Sequence, residues 1–170
     1  MKIPNLIQVA VASVVITLAS PLSADTMSVP DEKKPVFTLE VPADWNPRQT
    51  VEDAVEATSP DDHVYLLSWL VTGSDIKKLS SDLAETLKDA ITSVDAGATE
   101  DTFESNGIKF TVMKGTGTGQ RGEHKVKFQA ALFQAGPGKV GIVYADYAAA
   151  APAKTPDVLK GIVKSVKAKR

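Results

Sequence analysis

Residues 64–71 decide the fold. They read Val64-Tyr-Leu-Leu-Ser-Trp-Leu-Val71 and carry no charge and only one small hydroxyl side chain. Alternate side chains of an extended chain point to opposite faces of a sheet. Both faces of this segment therefore carry large apolar groups, which is typical of a strand that is covered on both sides. We predict a buried central strand here, with a layered body around it.

The amino-terminal residues have the pattern of a secretory signal peptide. Lys2 precedes an uncharged apolar run over residues 6–18, and Ser23 and Ala24 follow it. The run is shorter than the ~20 residues of a membrane-spanning helix, so permanent anchoring is the weaker interpretation. We predict a signal peptide at residues 1–24, cleaved after Ala24. The protein would then be periplasmic or secreted, with no stable membrane span after cleavage.

Cleavage would leave 146 residues, enough for one domain with its own core. These residues carry 18 basic and 21 acidic side chains, a net charge of −3, which argues against nucleic acid as the main partner. The chain has no cysteine, so it forms no disulfide and carries no lipidated cysteine.

Residues 25–35 are polar and contain two prolines, and we predict a flexible leader there. Residues 36–170 form the single predicted domain.

Alternating apolar and polar residues predict further strands. Their predicted positions are residues 36–41, 51–58, 101–104, 108–114, 124–134 and 140–147. Asn106-Gly107 is a strong hairpin signal, whereas glycine-rich residues 115–122 predict a loop. The short turns between successive strands favour antiparallel pairing.

Two segments have the period of amphipathic helices. The first covers residues 76–94, with Ser74 or Asp75 as its cap and Gly97 just past its end. The second follows Thr155 as cap and Pro156 at its first position. Both helices need an apolar surface, and the sheet supplies one. The predicted fold class is therefore α+β, an antiparallel β-sheet with a helix on each face or both on one.

The order of these elements resembles the PsbP-like superfamily. The resemblance rests on Phe37-Thr-Leu-Glu-Val-Pro followed by Trp45, on Thr58-Ser-Pro-Asp before the buried strand, and on Ser105-Asn-Gly-Ile at the start of a strand meander. It covers residues 36–166. It implies an α/β/α sandwich in a family that works by binding partners and shares no catalytic residues. The DcrB-like bacterial members are typically lipoproteins, and this chain differs from them in having no cysteine.

Residues 117–122 read Gly-Thr-Gly-Gln-Arg-Gly and match the Gly-x-Gly-x-x-Gly pattern of dinucleotide sites. That motif binds phosphate where a helix begins, whereas the residues that follow here alternate like a strand. A hairpin loop is the better interpretation, so we predict no cofactor. Arg121 at the tip of the loop is a weak candidate for contact with an anionic partner.

The sequence indicates no catalytic or metal site. His63 and His124 each lie beside acids, but they have neither helical spacing nor cysteine partners, so turn and strand-end positions explain them. No Gly-x-Ser-x-Gly motif occurs, and nothing selects one catalytic pair among 21 acids. We predict no catalytic residues and no metal ligands.

Two tryptophans and the basic carboxyl terminus are the remaining candidates for partner binding. Trp69 is expected in the core, whereas Trp45 lies in a turn, where its ring either plugs the end of the sandwich or contacts a partner. Plugging is the favoured interpretation, and Trp45 stays a weak candidate for partner binding. The basic residues near Arg170 read more readily as a solvated helix end than as a patch for an acidic partner.

Two hypotheses about function follow. The first is a non-enzymatic exported binding or accessory protein that contacts a protein or envelope component. The second is a hydrolase or metal-dependent enzyme whose site is assembled from residues distant in sequence. A concavity lined by a histidine and two carboxylates would favour the enzyme, whereas an exposed apolar surface would favour the binding protein.

Overall fold

The computed structural model describes residues 23–120 and 124–169. Residues 1–22 of the predicted signal peptide lie outside these ranges. Arg121 also lies outside them. Within the described part, the chain forms eleven β-strands and three α-helices. They are β1 (Ala24–Val29), β2 (Phe37–Pro42), β3 (Arg48–Gln49), β4 (Val55–Thr58), β5 (Val64–Thr72), α1 (Ile76–Ser81), α2 (Leu83–Thr86), β6 (Ile91–Val94), β7 (Thr99–Ser105), β8 (Ile108–Gly119), β9 (Lys125–Gly136), β10 (Lys139–Tyr147), α3 (Thr155–Ser165) and β11 (Lys167–Ala168).

The main sheet has eight antiparallel strands in the order β3-β4-β5-β10-β9-β8-β6, and β7 also pairs with β8. The sheet is curled into a half-barrel. β5 is the predicted central strand, and it lies between β4 and β10, with Leu66 opposite Ala57 on one side and Ala145 on the other. The interior position of residues 64–71 is therefore confirmed, as is the α+β class with antiparallel pairing.

One face of the main sheet packs against a second sheet and against α3. The second sheet has the order β1-β2-β11. Their shared core contains Val64 and Leu66 of β5, and the ring of Phe37 from β2 meets Phe133 of β9 edge to face at 4.9 Å. Ser165 at the end of α3 ties the helix to β2, because its hydroxyl accepts a 2.7 Å bond from Glu40 N.

The opposite face is covered mainly over β8, β9 and β10. Leu79 of α1 and Leu83 of α2 pack there against β-strand side chains such as Phe128 and Ile142. Trp69 and its neighbours on the same face of β5 are only half-buried, since the two short helices do not reach across them. The predicted burial of both faces of β5 therefore holds for Val64, Leu66 and Ser68 on one face, where Leu70 is half-buried, and only in part for the other face.

The predicted helix over residues 76–94 is wrong beyond Thr86. Asp75, one of the two predicted caps, caps α1 and accepts a 2.8 Å bond from Lys78 N. Asp82 then leaves the helical conformation, α2 adds a single turn, and Ile91–Val94 pairs as β6 with the far end of β8. Leu87 and Ile91 are buried in the observed structure, and a continuous helix would bury them too. The apolar period therefore could not distinguish a continuous helix from a helix followed by a strand.

The predicted flexible leader at residues 25–35 is also wrong. β1 occupies its first half and pairs along β2, and Val29 is fully buried in the core. Asp31 shapes the connecting turn, because its carboxylate accepts bonds from the backbone N–H groups of Lys33 and Lys34 at 2.6 and 2.9 Å. The two prolines thus bracket a hairpin turn rather than a mobile tail.

The predicted loop over residues 115–122 is shorter than expected. β8 continues through Gly119, so the first half of the loop belongs to the sheet.

The hairpin signal at residues 106 and 107 is confirmed, with Asn106 at φ 52° and Gly107 at φ 71°, the left-handed values that such a turn requires. The closing helix is confirmed as α3, although Lys154 rather than Thr155 occupies the cap position.

Candidate functional site

An apolar cavity of about 230 Å³ opens at one end of the molecule, where three connections meet. We call it the Trp45 cavity. Its walls come from the end of β2, the turn between β4 and β5, and the start of α3. The lining residues are Pro42, Asp44, Trp45, Ser59, Pro60, Asp61, Val64, Pro152, Lys154, Thr155 and Val158.

A single 3₁₀ turn over Ala43–Trp45 places the indole ring. Pro42 ends β2 because it cannot continue the strand, and Asn46 closes the turn in a left-handed conformation at φ 48°. The Trp45 side chain is only 7% exposed and belongs to the core beneath the cavity. This position agrees with the prediction that the ring plugs the end of the sandwich, with part of its surface forming the cavity wall.

The turn between β4 and β5 forms the second wall and is held by Ser59. The Ser59 hydroxyl donates a 2.5 Å bond to Oδ1 of Asp61 and accepts a 3.0 Å bond from the buried backbone N–H of Val64. The hydrogen bond from Ser59, with His63 adding a smaller effect, holds the pKa of Asp61 below its usual value. Asp61 is therefore a stable anion at the mouth of the cavity.

The first turn of α3 forms the third wall. Val158 points its side chain into the cavity, and Lys154 and Asp44 are exposed at the rim. The backbone N–H of Thr155 donates to Pro152 O at 2.9 Å, and that of Val158 donates to Lys154 O at 3.1 Å. These bonds occupy the backbone N–H groups of Thr155 and Val158 at the helix start. The cavity as a whole suits an apolar group with polar atoms at its mouth.

The two histidines meet at a different place. A cavity of about 70 Å³ is lined by Asp62, His63, Tyr65, His124, Asp146 and Ala148, and we call it the histidine cavity. The register of the sheet produces this meeting, because Asp146 of β10 lies opposite Tyr65 of β5 and Phe128 of β9. The prediction that the histidines are simple strand-end residues missed their proximity.

A buried acid and a buried tyrosine extend the histidine cavity inward. The Tyr144 hydroxyl donates a 2.9 Å bond to Oδ2 of Asp146, and both side chains are buried. Burial, and then the negative charge of Asp146, raise the pKa of Tyr144 far above the usual tyrosine value, so it remains a neutral donor. His63 Nδ1 lies 3.3 Å from Asp61 Oδ2, which links this cavity to the turn that lines the Trp45 cavity.

The other chemical candidates do not assemble into a site. Within residues 23–120 and 124–169, no three His, Asp or Glu side chains come close enough to hold a metal ion. Gly117 and Gly119 of the Gly-x-Gly-x-x-Gly match lie inside β8, and no helix follows them, which contradicts a phosphate loop. In the same described part of the chain, no helix is long and apolar enough to cross a membrane.

Sequence reasoning found Trp45 but missed the residues that complete its cavity. Pro42, Pro152 and Val158 are far apart in the chain and belong to the end of β2, the connection before α3 and the first turns of α3. No local signal joins them. Only the packing of α3 against the end of β2 brings the three together.

The chain has a structural relative of known coordinates. Its fold is similar to a crystal structure from Bacteroides thetaiotaomicron VPI-5482, with a TM-score of 0.51 and 14% sequence identity over 79% of this chain and 45% of that chain. The present chain thus spans less than half of that protein. At this identity the likeness concerns the fold alone. No protein-family model matches the sequence, and no curated protein matches it significantly.

Proposed function

We propose that the chain is a non-enzymatic exported binding or accessory protein, which holds an apolar group of a protein partner in the bacterial envelope. The observation that carries this proposal is the Trp45 cavity, an open and mainly apolar concavity of about 230 Å³. An engineered apolar cavity of about 150 Å³ already binds benzene, so this volume admits a leucine-sized or aromatic side chain. Buried aromatic pockets of this kind are common anchor points in protein interfaces.

The rim of the cavity adds selectivity to the apolar contact. Asp44 and Asp61 place two carboxylates at the mouth, and Lys154 places one cation there. Carboxylates outnumber the lysine, so the rim favours a partner segment that carries a positive charge next to its apolar anchor. The proposed ligand is therefore an apolar side chain followed by lysine or arginine on an exposed segment of an envelope protein.

We also infer membership of the PsbP-like superfamily, with its α/β/α sandwich. The residues quoted at the strand ends and turns support it, and so does the placement of α3 and α1–α2 on opposite faces of the main sheet. Export rests on the amino-terminal pattern of Lys2 and the apolar run over residues 6–18. In a bacterium with two membranes, this pattern directs the protein to the periplasm.

The experiment that tests the proposal fills the cavity. Val158→Phe places a ring inside it, and Val51→Phe adds the same ring at a fully exposed turn position as the matched control. The secreted chain is used to capture envelope proteins, and a captured protein is then purified and titrated. The proposal expects binding by the wild type and by Val51→Phe and a loss of at least tenfold in affinity for Val158→Phe. Equal affinity of both variants would overturn it.

The histidine cavity favours a second candidate function, a hydrolase that uses general acid–base chemistry. His63, His124 and two aspartates surround it, which is the combination that general acid–base chemistry uses. Its volume of about 70 Å³ admits a few water molecules and not a substrate, and its lining includes no serine or threonine nucleophile. These features make the enzyme the second choice.

A panel of ester, amide and phosphoester substrates separates the two functions. Hydrolysis that is lost in Asp146→Asn and unchanged in Val158→Phe would establish the enzyme and contradict the binding protein. No hydrolysis by the wild type, together with partner binding blocked by Val158→Phe, would support the binding protein.

A further inference from the structure

A second, basic cleft lies at the opposite end of α3 from the Trp45 cavity. The helix begins at the Trp45 cavity, and the residues just after its end, in β11, line this cleft. The cleft has a volume of about 620 Å³, within the usual range of small-ligand sites. We call it the lysine cleft, after Lys77, Lys109 and Lys167.

The three lysines come from three separate elements. Lys77 is in the first turn of α1, Lys109 is the second residue of β8, and Lys167 begins β11. All three are exposed and line the same concavity. Among the described residues that line the cleft there are three lysines and no acid, although the chain as a whole carries more acids than bases. The local charge therefore has the opposite sign to that of the molecule.

The backbone beneath the cleft is fixed by side-chain hydrogen bonds. Asn106 Nδ2 donates to Lys164 O at 2.8 Å and to Val166 O at 3.0 Å, which ties the β7–β8 turn to the end of α3. Gln134 Nε2 donates to Lys139 O at 3.0 Å on another side of the cleft. The backbone around Lys109 and Lys167 is thus set before any ligand arrives.

Two acids flank the cleft and partly offset its charge. Glu40 Oε1 lies 3.7 Å from Lys167 Nζ, and Glu104 faces Lys109 in the β7–β8 register. Both members of the Glu40–Lys167 pair are exposed, and such a pair is weak and screened by salt. An anion with two or more charges that bridges the lysines can therefore displace Glu40 from Lys167.

We propose that the lysine cleft binds a small soluble polyanion, a molecule with two or more phosphate or carboxylate groups. Lysine ammonium groups are point-charge donors suited to both. The concave shape favours a molecule that enters the cleft over a flat membrane surface, which three lysines around a concavity contact poorly. This site is separate from the Trp45 cavity, and the proposal does not rest on the function assigned to that cavity.

Calorimetric titration with inorganic pyrophosphate and with citrate at low ionic strength tests the proposal. The variant Lys77→Gln/Lys109→Gln/Lys167→Gln removes three charges from the cleft. The control Lys33→Gln/Lys34→Gln/Lys160→Gln removes three charges from exposed positions elsewhere. We expect the cleft variant to bind about tenfold more weakly and the control variant less than twofold more weakly. Glu40→Gln should bind about twofold more tightly, because it frees Lys167.

Several outcomes would overturn the proposal. They are no binding of either anion by the wild type, an equal loss in both triple variants, and binding confined to vesicles of phosphatidylglycerol. Unchanged affinity in Glu40→Gln would contradict the role of Lys167. Val158→Phe should leave pyrophosphate binding intact, so failure of one site is distinguishable from failure of the other.

Discussion

Gly141 of β10 lies directly under the ring of Phe133 on the neighbouring strand β9. The two residues are opposite each other in the register, and a Cβ built on Gly141 would lie 2.3 Å from Phe133 Cζ. The ring cannot move away, because it also packs against Phe37 and Phe110 at centroid distances of 4.9 and 5.2 Å. Glycine is required here by space and not by backbone conformation.

We therefore expect Gly141→Ala to lower the free energy of unfolding by about 2 to 3 kcal/mol, the cost of overpacking a core. Gly161→Ala is the matched control, since Gly161 lies in α3 with open space around its Cα. That change should stabilise the protein by up to about 1 kcal/mol through helix propensity. Urea denaturation measures both, and equal effects of the two changes would contradict the packing at Gly141.

Gly117 should be needed for the pairing of β6 with β8. A Cβ at Gly117 would lie 2.1 Å from the backbone oxygen of Ser93, in the partner strand. Gly117→Ala is expected to speed hydrogen exchange of the β6 amides by more than tenfold, because the strands must separate. A Cβ at Gly119 would have its nearest contact at 3.2 Å, with Val126 Cγ1, so Gly119→Ala should have a smaller effect. Slow β6 exchange in Gly117→Ala would show that this glycine is not structural.

The pKa of Asp61 should depend on Ser59. Without the Ser59 hydroxyl, Ser59→Ala should raise this pKa toward the ordinary value of about 3.9. A lowered folded-state pKa adds stability above that unfolded value, which is lost as pH falls through the folded pKa. Relative to the wild type, Ser59→Ala should therefore lose the stability that Asp61 contributes above a pH of about 4, and its stability should fall less steeply as the pH is lowered through the folded pKa of Asp61. Carbon-13 titration of the carboxyl group measures the change, with Thr116→Val as a control that acts on Asp95 instead. An unshifted Asp61 would contradict the assigned bond.

Asn106 should stabilise the molecule through its side chain as well as its turn conformation. Glycine suits the left-handed backbone at φ 52°, but Asn106→Gly loses the two bonds to Lys164 O and Val166 O. We expect a loss of about 1 to 2 kcal/mol. Asn46→Gly, at an exposed position with φ 48°, should change stability by less than about 0.5 kcal/mol. Thermal unfolding distinguishes the two, and a neutral Asn106→Gly would contradict the bonding.

Much of the sheet could be predicted, because period-two patterns and the Asn106-Gly107 turn are local signals. The two wrong predictions, the helix over residues 76–94 and the flexible leader at residues 25–35, share a cause. Ile91 is buried whether it lies in a helix or in β6, and β1 is ordered only because β2 offers it an open edge. Each outcome depends on a pairing partner that the local sequence does not contain.

The same limit applies to the candidate sites. Trp45 could be singled out as a large ring in a turn, but the prolines and Val158 around it come together through tertiary packing alone. His63 and His124 converge because β5, β10 and β9 are adjacent in the sheet, and that strand order cannot be read from either histidine's neighbours. The lysine cleft likewise joins α1, β8 and β11.

The proposed function depends on the ability of the Trp45 cavity to accept an apolar group. It is tested most directly by titrating the protein with indole while the side-chain N–H resonances of both tryptophans are followed in the ¹H–¹⁵N spectrum. We expect a saturable shift of the Trp45 resonance, with Trp69 unchanged, and loss of that shift in Val158→Phe but not in Val51→Phe. An unshifted Trp45 resonance, or a shift confined to Trp69 on the half-covered face of β5, would contradict it.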